Sequence, residues 1–444
     1  MISDIPDTLT SPRAAGTLRL GRDEQEMLDG KQGPARAKAM ELLVRYAEGL
    51  GAESFVDTNN VTLIAGTLPD IAVLRKAVPS LDIDAVASKF YLGSDEVVVV
   101  DKVKAFTTSN ATHRDQKYPD LQRGGAEACE LMRRIEAYLK RIGVINLLTC
   151  TPYQSGNTPS KGEHCAWIES SAQAFCNSVL GARTNIEGQH SSFASALTGK
   201  TPLWGMHLDE NRHANVRVEV EAQPVSAQDW YLMGYHFGTQ LGQDIPVYTG
   251  VQRTPGRYSL IAFSAAGMTP GSVVMYHIIG VTPEAATLEQ ACGNRRIERV
   301  LGYGPRERAQ VYERLNRSDK DEVDIVILGC PHYGLEQMKT VASMLEGKRI
   351  HGNVALYITT MRSVKAVLDR EGYSDTLSAA GAIVLEDSCG LVLNIMDPSA
   401  VVASDSAKMV HYVPGTTGVS KVWFGTTQEC VDAAITGKWR GTLK

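Results

Sequence analysis

The stretch from residue 150 to 185, CTPYQSGNTPSKGEHCAWIESSAQAFCNSVLGARTN, concentrates side chains that can do chemistry. An apolar run at residues 144–148 delivers Cys150 into a loop carrying Asn157, Lys161, Glu163 and His164. A helix follows, then a second polar cluster, Arg183-Thr184-Asn185. A loop this rich in hydrogen-bonding groups, held between a strand and a helix, is how an α/β protein builds a site. The alternative is a long surface connection that happens to contain a cysteine.

The chain has eight cysteines in 444 residues. They lack the regular spacing of a disulfide framework, and no secretory signal precedes them, so a reducing cytoplasm is the expected compartment. Cys129, Cys176 and Cys430 fall inside predicted helices, Cys165 starts one, and Cys292 sits near a helix end; a small buried hydrophobe is the better reading of these five. Cys150, Cys330 and Cys389 differ. Each follows an apolar strand and precedes a turn: INLLTC-TP, VDIVILGC-PH and AIVLEDSC-G. Ligands of parallel α/β sheets gather outside the carboxyl ends of the strands. Three thiolates fall one short of a structural zinc site. They suit an iron–sulfur cluster that leaves one iron position for another ligand, and an open iron is a Lewis acid toward a hydroxyl. Simple strand-end packing is the competing reading, and no CxxC spacing decides between them.

The elements that must position these residues are legible in outline. Residues 34–50 and 126–142 carry apolar side chains at helical spacing, with Pro34 opening one helix and Gly51 and Gly143 closing the two. Residues 96–100, EVVVV, read as a buried strand, 144–148 as another, and 167–180 as a helix. Residues 188–280 show short β-like runs (216–220, 247–249, 273–276) around a helix near 229–241, which reads as mixed α+β. The last third alternates: strands at 323–328, 354–358 and 382–385, helices at 335–345 and 362–370. That order predicts a parallel sheet covered on both faces. The expected division is a flexible leader (1–20), an α/β lobe with Cys150 (21–187), a mixed lobe (188–300) and a doubly wound lobe with Cys330 and Cys389 (301–444).

The whole chain bounds the partners. Hydrophobic residues make up 43% and charged residues 21%, ordinary for a globular protein, and the net charge is −5 without a Lys/Arg run. That argues against nucleic acid as the main partner. No apolar run is long enough to span a membrane, and the N-terminus is neither a secretory nor a transit signal.

The long motif TCTPYQSGNTPSKGEHCAWIESSAQAFCNSVLGARTNIEG, with HIIGVTPEA (277–285), LGCPHYGLEQM (328–338), EDSCG (386–390) and the tail SAKMVHYVPG…FGTTQECVDAAITGKW, resembles the aconitase X family from about Leu20 to Trp439. The resemblance implies an aconitase-like α/β core around an iron–sulfur cluster, [4Fe-4S] or [2Fe-2S], held by Cys150, Cys330 and Cys389. It implies a hydro-lyase acting on a small hydroxylated carboxylate. One known substrate is cis-3-hydroxy-L-proline, which gives pyrroline-2-carboxylate; the other is mevalonate 5-phosphate. It also implies a small swivelling domain, expected here on a separate chain that carries the base.

Dehydration needs a proton taken from carbon and a hydroxide lost from its neighbour. Glu163 and His164 are candidates to protonate the leaving oxygen, with helix capping or a loop salt bridge as the alternative. Asn157, Lys161, Arg183, Thr184, Asn185, Lys408 and His411 are candidates to bind an anionic substrate. His332 could support the cluster, whereas His207, His213 and His277 read as structural. Two departures from the family pattern concern the substrate: Thr58-Asn59-Asn60-Val61 replaces a small-residue–Ala–His segment, and Thr107-Thr108-Ser109-Asn110, then Ala111-Thr112-His113, replaces Thr-Thr-Leu-Asn. Without a Gly-rich phosphate loop or an Arg cluster, hydroxyproline is the favoured substrate. A cluster-binding scaffold or sensor without activity is the reading from a different class.

Overall fold

A computed structural model describes residues 18–64, 71–111, 115–121, 124–392, 394 and 396–443. Most of the expected leader, and Thr112 and His113, lie outside the described residues. The chain folds into parallel sheets flanked by helices.

The first lobe is built on a three-stranded parallel sheet, with Asn60–Leu63 between Phe106–Ser109 and Cys165–Ala166. Helix Pro34–Leu50 starts on a proline whose missing N–H costs nothing there. Helix Gly125–Arg141 buries Leu131, Met132, Ile135 and Leu139 along one stripe. Both helices share one core with Phe193 and Leu197 of helix Gln189–Thr198. Strand Lys200–Pro202 also returns to pair with Phe55–Asp57. The first core thus runs past the expected boundary at residue 187.

The middle of the chain is not mixed α+β. Its four strands, in the order His277–Ile278, Pro246–Thr249, Val216–Val220, Arg299–Tyr303, are all parallel. Helices Ala227–Leu241 and Arg257–Gly271 pack together beside them. Their backbones approach so closely that a Cβ on Gly271 would lie 1.5 Å from the Gly238 carbonyl oxygen. Helix Arg257–Gly271 escapes a periodicity search because it is apolar all round: an unbroken run from Leu260 to Thr269 is buried.

The third lobe is a five-stranded parallel sheet ordered Ile383–Glu386, Ala355–Thr360, Ile325–Tyr333, Val401–Ser404, Lys421–Phe424. From the central strand the chain winds outward through 355–360 to 383–386. It then crosses to the other side for 401–404 and 421–424. The switch point lies between Ile325–Tyr333 and Val401–Ser404, where a doubly wound sheet opens its crevice.

Several local expectations are corrected. Residues 96–100 form no strand; Val97 and Val99 are 58% and 55% exposed, so the apolar run lacks a sheet to enter. Residues 144–148 contribute only a parallel bridge from Ile145 to Thr108. Residues 273–276 are irregular, and the strand there is His277–Ile278. Cys165 lies in a strand opposite Asn60, and its helix begins at Ser170 and ends in a π turn at Cys176–Leu180.

Candidate active site

Contacts from Lys408 to Glu169 and from His332 to Cys150 and Ser388 join the carboxyl ends of the first and third sheets, and bring the segments of the three cysteines together. A left-handed residue stands just ahead of each: Leu148 at φ 51°, Gly329 at φ 91° and Asp387 at φ 59°. The kinks turn the chain out of the strand direction and present Cys150, Cys330 and Cys389. At Gly329 only glycine fits, because a Cβ would lie 2.2 Å from the Thr359 carbonyl oxygen. Asp387 is fixed by Arg362, whose backbone N–H and Nε donate to its two carboxylate oxygens at 3.0 and 2.6 Å. Burial still pushes the Asp387 carboxyl up to about 7, against the pull of Arg362.

The thiols feel one another. Burial raises Cys330 to about 12; the charge of Lys408 opposes that and the charge of Cys389 adds to it. Burial also raises Cys150 and Cys389. Lys408 lowers both, and Cys330 adds to the rise at Cys150. The charge of one ammonium therefore reaches all three thiols. Lys408 sits in the first turn of helix Ala407–Thr417, directly after Val401–Ser404, at the switch point of the third sheet. Its Nζ donates to Glu169 Oε1 at 2.7 Å. Glu169 follows Cys165–Ala166 at the carboxyl side of the first sheet and also accepts from Asn110 Nδ2 at 2.9 Å and Ser171 Oγ at 3.2 Å. Burial works to raise the Glu169 carboxyl, but Lys408 and these donors outweigh it and hold it at about 2. Burial alone would lower Lys408; Glu169 and the thiols hold it well above the usual range.

His332 lies at the centre of the backbone arrangement. Its ring is buried and its pKa falls to about 4, so it is neutral. Nε2 is 2.7 Å from the Ser388 carbonyl, Nδ1 is 3.2 Å from Thr149 Oγ1, and its N–H donates to Cys150 Sγ at 3.3 Å. Tyr231 OH, from the middle lobe, donates to the Cys330 carbonyl at 3.0 Å.

The donor set fits an iron–sulfur cluster. Thiolates are its ordinary ligands; Cys330 is buried and Cys150 and Cys389 are half-buried, all within reach of the Lys408 charge. Tyr153 OH, Asn157 Oδ1 and Ser388 Oγ are buried without a hydrogen-bond partner, which is what remains at a site shaped for something else. Among the described residues no three His, Cys, Asp or Glu side chains stand at single-ion spacing. A cluster does not require that, because it offers a separate iron to each thiol.

Other candidates go elsewhere. His164 and Arg183 bridge at the amino side of Cys165, opposite the cysteines. There His164 Nδ1 meets His207 Nδ1 at 2.9 Å, and Glu163 accepts from the Ser160 N–H at 2.9 Å. Glu163 and His164 line a polar cavity of about 640 Å³ with Asp57, Thr58, Lys104 and Lys200. Glu163 and His164, expected as acids, thus stand at the amino ends of the strands and not beside the cysteines. Lys161 Nζ donates to the Pro283 carbonyl at 2.7 Å and pins the loop to the middle lobe. Arg183 pairs with Asp209 and donates to the His207 carbonyl at 2.8 Å. Thr184 Oγ1 accepts from the Trp167 N–H, and Asn185 ties to Trp204 and Met206. His411 Nδ1 meets Tyr235 OH at 2.8 Å. Lys161, Arg183, Thr184, Asn185 and His411, expected at the substrate, thus make their contacts within the protein. His277 is structural, its Nε2 on the Arg212 carbonyl. Asn157 remains: its Nδ2 donates to Thr108 Oγ1 at 2.9 Å and its oxygen is unpaired.

Reading the sequence missed Glu169 and Tyr153, whereas Asn110 falls in the 107–110 stretch already tied to the substrate. Glu169 carries a usable signal, a carboxylate at the N-cap of the helix after the Cys150 loop, but its lysine is 239 residues away.

A parallel α/β protein with three thiols at its strand ends has the layout of a dehydratase of the aconitase type, and comparison with known proteins places it further. Family models for the first, second and third domains of aconitase X match residues 17–210, 214–313 and 323–436. The chain belongs to the aconitase X family, and so to the hydro-lyases. It is 34% identical to the phosphomevalonate dehydratase large subunit of Methanothermobacter thermautotrophicus, over 92% of this chain and 97% of that protein. It is 36% identical to the cis-3-hydroxy-L-proline dehydratase of Pseudomonas aeruginosa, over 95% of this chain and 70% of that one. The crystal structure of Thermococcus kodakaraensis aconitase X (holo-form) superposes with a TM-score of 0.79 at 30% identity, covering 94% of this chain and all of that one. No helix among the described residues is long and apolar enough to cross a membrane.

Proposed function

We propose that this chain is the large subunit of a dehydratase whose iron–sulfur cluster is held by Cys150, Cys330 and Cys389. The observation that carries the reading is that the three cysteine segments meet at His332, which stands two residues after Cys330, donates its N–H to Cys150 Sγ at 3.3 Å and holds the Ser388 carbonyl beside Cys389 at 2.7 Å. The chemistry such a cluster supplies is Lewis acidity toward a substrate hydroxyl. Lys408 is a fixed cation that offsets thiolate charge and draws an anionic substrate into the crevice. Glu169, held at about 2 and committed to three donors, is too weak a base to take a proton from carbon. Tyr153 OH and Asn157 Oδ1 are buried polar atoms left for a ligand. The base comes from a small partner chain; the "large subunit" name of the phosphomevalonate relatives supports this. All eight cysteines are free thiols, which suits a reducing cytoplasm.

The substrate is a small hydroxylated carboxylate, with cis-3-hydroxy-L-proline first and mevalonate 5-phosphate second. The relatives named for the two differ by only two points of identity, 36% against 34%. The test is turnover of each compound by the anaerobic protein, alone and with a co-expressed small partner. Product from hydroxyproline supports the first reading and product from the phosphate the second. Failure of both with the partner present favours a scaffold.

A further inference from the structure

We propose that His332 is a positioning residue that ties the three cysteine-bearing segments into one frame before any metal arrives. The inference rests on the reading above that Cys150, Cys330 and Cys389 share a cluster.

The geometry is specific. Cys150, Cys330 and Cys389 belong to three separate segments, and a left-handed residue stands just ahead of each. Cys150 and Cys389 lie outside any strand, and the pairing around Cys330 is broken by a register shift between Leu328 and Tyr333, so contacts other than the ladder must hold the thiols in place. His332 stands two residues after Cys330 and is 3% exposed. A carbonyl only accepts, so the contact at 2.7 Å to Ser388 requires the proton on Nε2. Nδ1 is then the acceptor for the Thr149 hydroxyl at 3.2 Å. Ser388 and Thr149 are the residues immediately before Cys389 and Cys150. The His332 backbone N–H adds a bond to Cys150 Sγ, and its carbonyl accepts from Gln154 Nε2 at 3.2 Å. One imidazole, attached to one cysteine's segment, grips the segments of the other two through one donor and one acceptor. No aliphatic side chain can do either. A primary amide of one length reaches only one of the two partners: Asn places its oxygen where Nδ1 lies, and Gln places its nitrogen where Nε2 lies.

The expected magnitude follows from other metal centres, where removing a residue that orients a ligand costs roughly 10- to 100-fold in metal affinity. The experiment compares wild type with His332→Leu, His332→Asn and His332→Gln in the full chain. One readout is the rate at which reconstituted anaerobic protein gives up iron to a chelator. The other is amide hydrogen exchange at residues 148–151 and 386–390 in the cluster-free protein, which does not depend on metal. His332→Leu is expected to lose iron roughly 10- to 100-fold faster and to exchange faster at both segments. His332→Asn should protect 148–151 but not 386–390, and His332→Gln the reverse. Should the leucine variant fail to fold, the two amides carry the test. Wild-type iron release, or unchanged exchange at both segments in the variants, overturns the proposal while leaving the cluster reading intact. Wild-type protein that takes up no iron and sulfide overturns the cluster reading and this inference with it.

Discussion

Lys408 and Glu169 form a largely but not fully buried ion pair inside the site, and its energetics can be tested apart from catalysis. Removing one partner of such a pair leaves an uncompensated charge and costs about 3–5 kcal/mol, whereas replacing both is often near neutral. Lys408→Met should therefore lower the urea midpoint sharply, and Lys408→Met with Glu169→Gln should recover most of it, while both variants lose turnover. His207 supplies a separate pH signature. Burial, with the nearby charges of His164 and Arg212, depresses its pKa from 6.5 to about 3. The unfolded state therefore binds the extra proton first. The stability this group contributes is complete above pH 6.5 and is lost as pH falls toward about 3. Unfolding measured across that range should show a shallower pH slope in His207→Asn. At this scale the sequence was partly legible. The three cysteines were picked out by what precedes them, and Lys408 by its tail motif. Glu163, His164 and Arg183 are near Cys150 in sequence but lie on the amino side of Cys165, because nearness along the chain says nothing about which end of a strand a residue occupies.

Strand ends are the working elements of this fold. Gly329 shows what they demand. A side chain there would adopt φ 91° and press on the Thr359 carbonyl. Strained left-handed conformations cost about 1–3 kcal/mol before any clash is added, so Gly329→Ala should lower the melting temperature and displace the adjacent Cys330. Wild-type melting in that variant would show that the strand end relaxes freely. The alternation of strands and helices in the last third was legible from hydrophobic periodicity. The lobe also holds strands Val401–Ser404 and Lys421–Phe424 and helix Tyr373–Ala380, which were not foreseen. The exposed valines at 97 and 99 erred the other way: β-propensity describes fit to a half-buried surface, and no sheet edge receives them.

Across the whole molecule, the lobes are joined by polar anchors around the site. Arg212, 1% exposed, donates Nε to Glu284 Oε2 at 3.0 Å and also caps the carbonyls of Asn177 and Ala182. This locks the residue 177–183 turn of the first lobe to the middle lobe. Arg362 bridges Asp387 of the third lobe to Glu136 of the first. Such long-range pairings are invisible in a single sequence, whereas the motif around Cys150 was long enough to indicate the family. As proposed, three thiols from two lobes hold one cluster. It is tested most directly by iron and acid-labile sulfide per chain, with the visible spectrum, in anaerobically prepared wild type and in Cys150→Ser, Cys330→Ser, Cys389→Ser and the core control Cys430→Ser. Brown, iron- and sulfide-containing wild type and Cys430→Ser, with loss in each of the other three, is the predicted result. Colourless, iron-free wild type, or retention of the cluster in all three site variants, would contradict it.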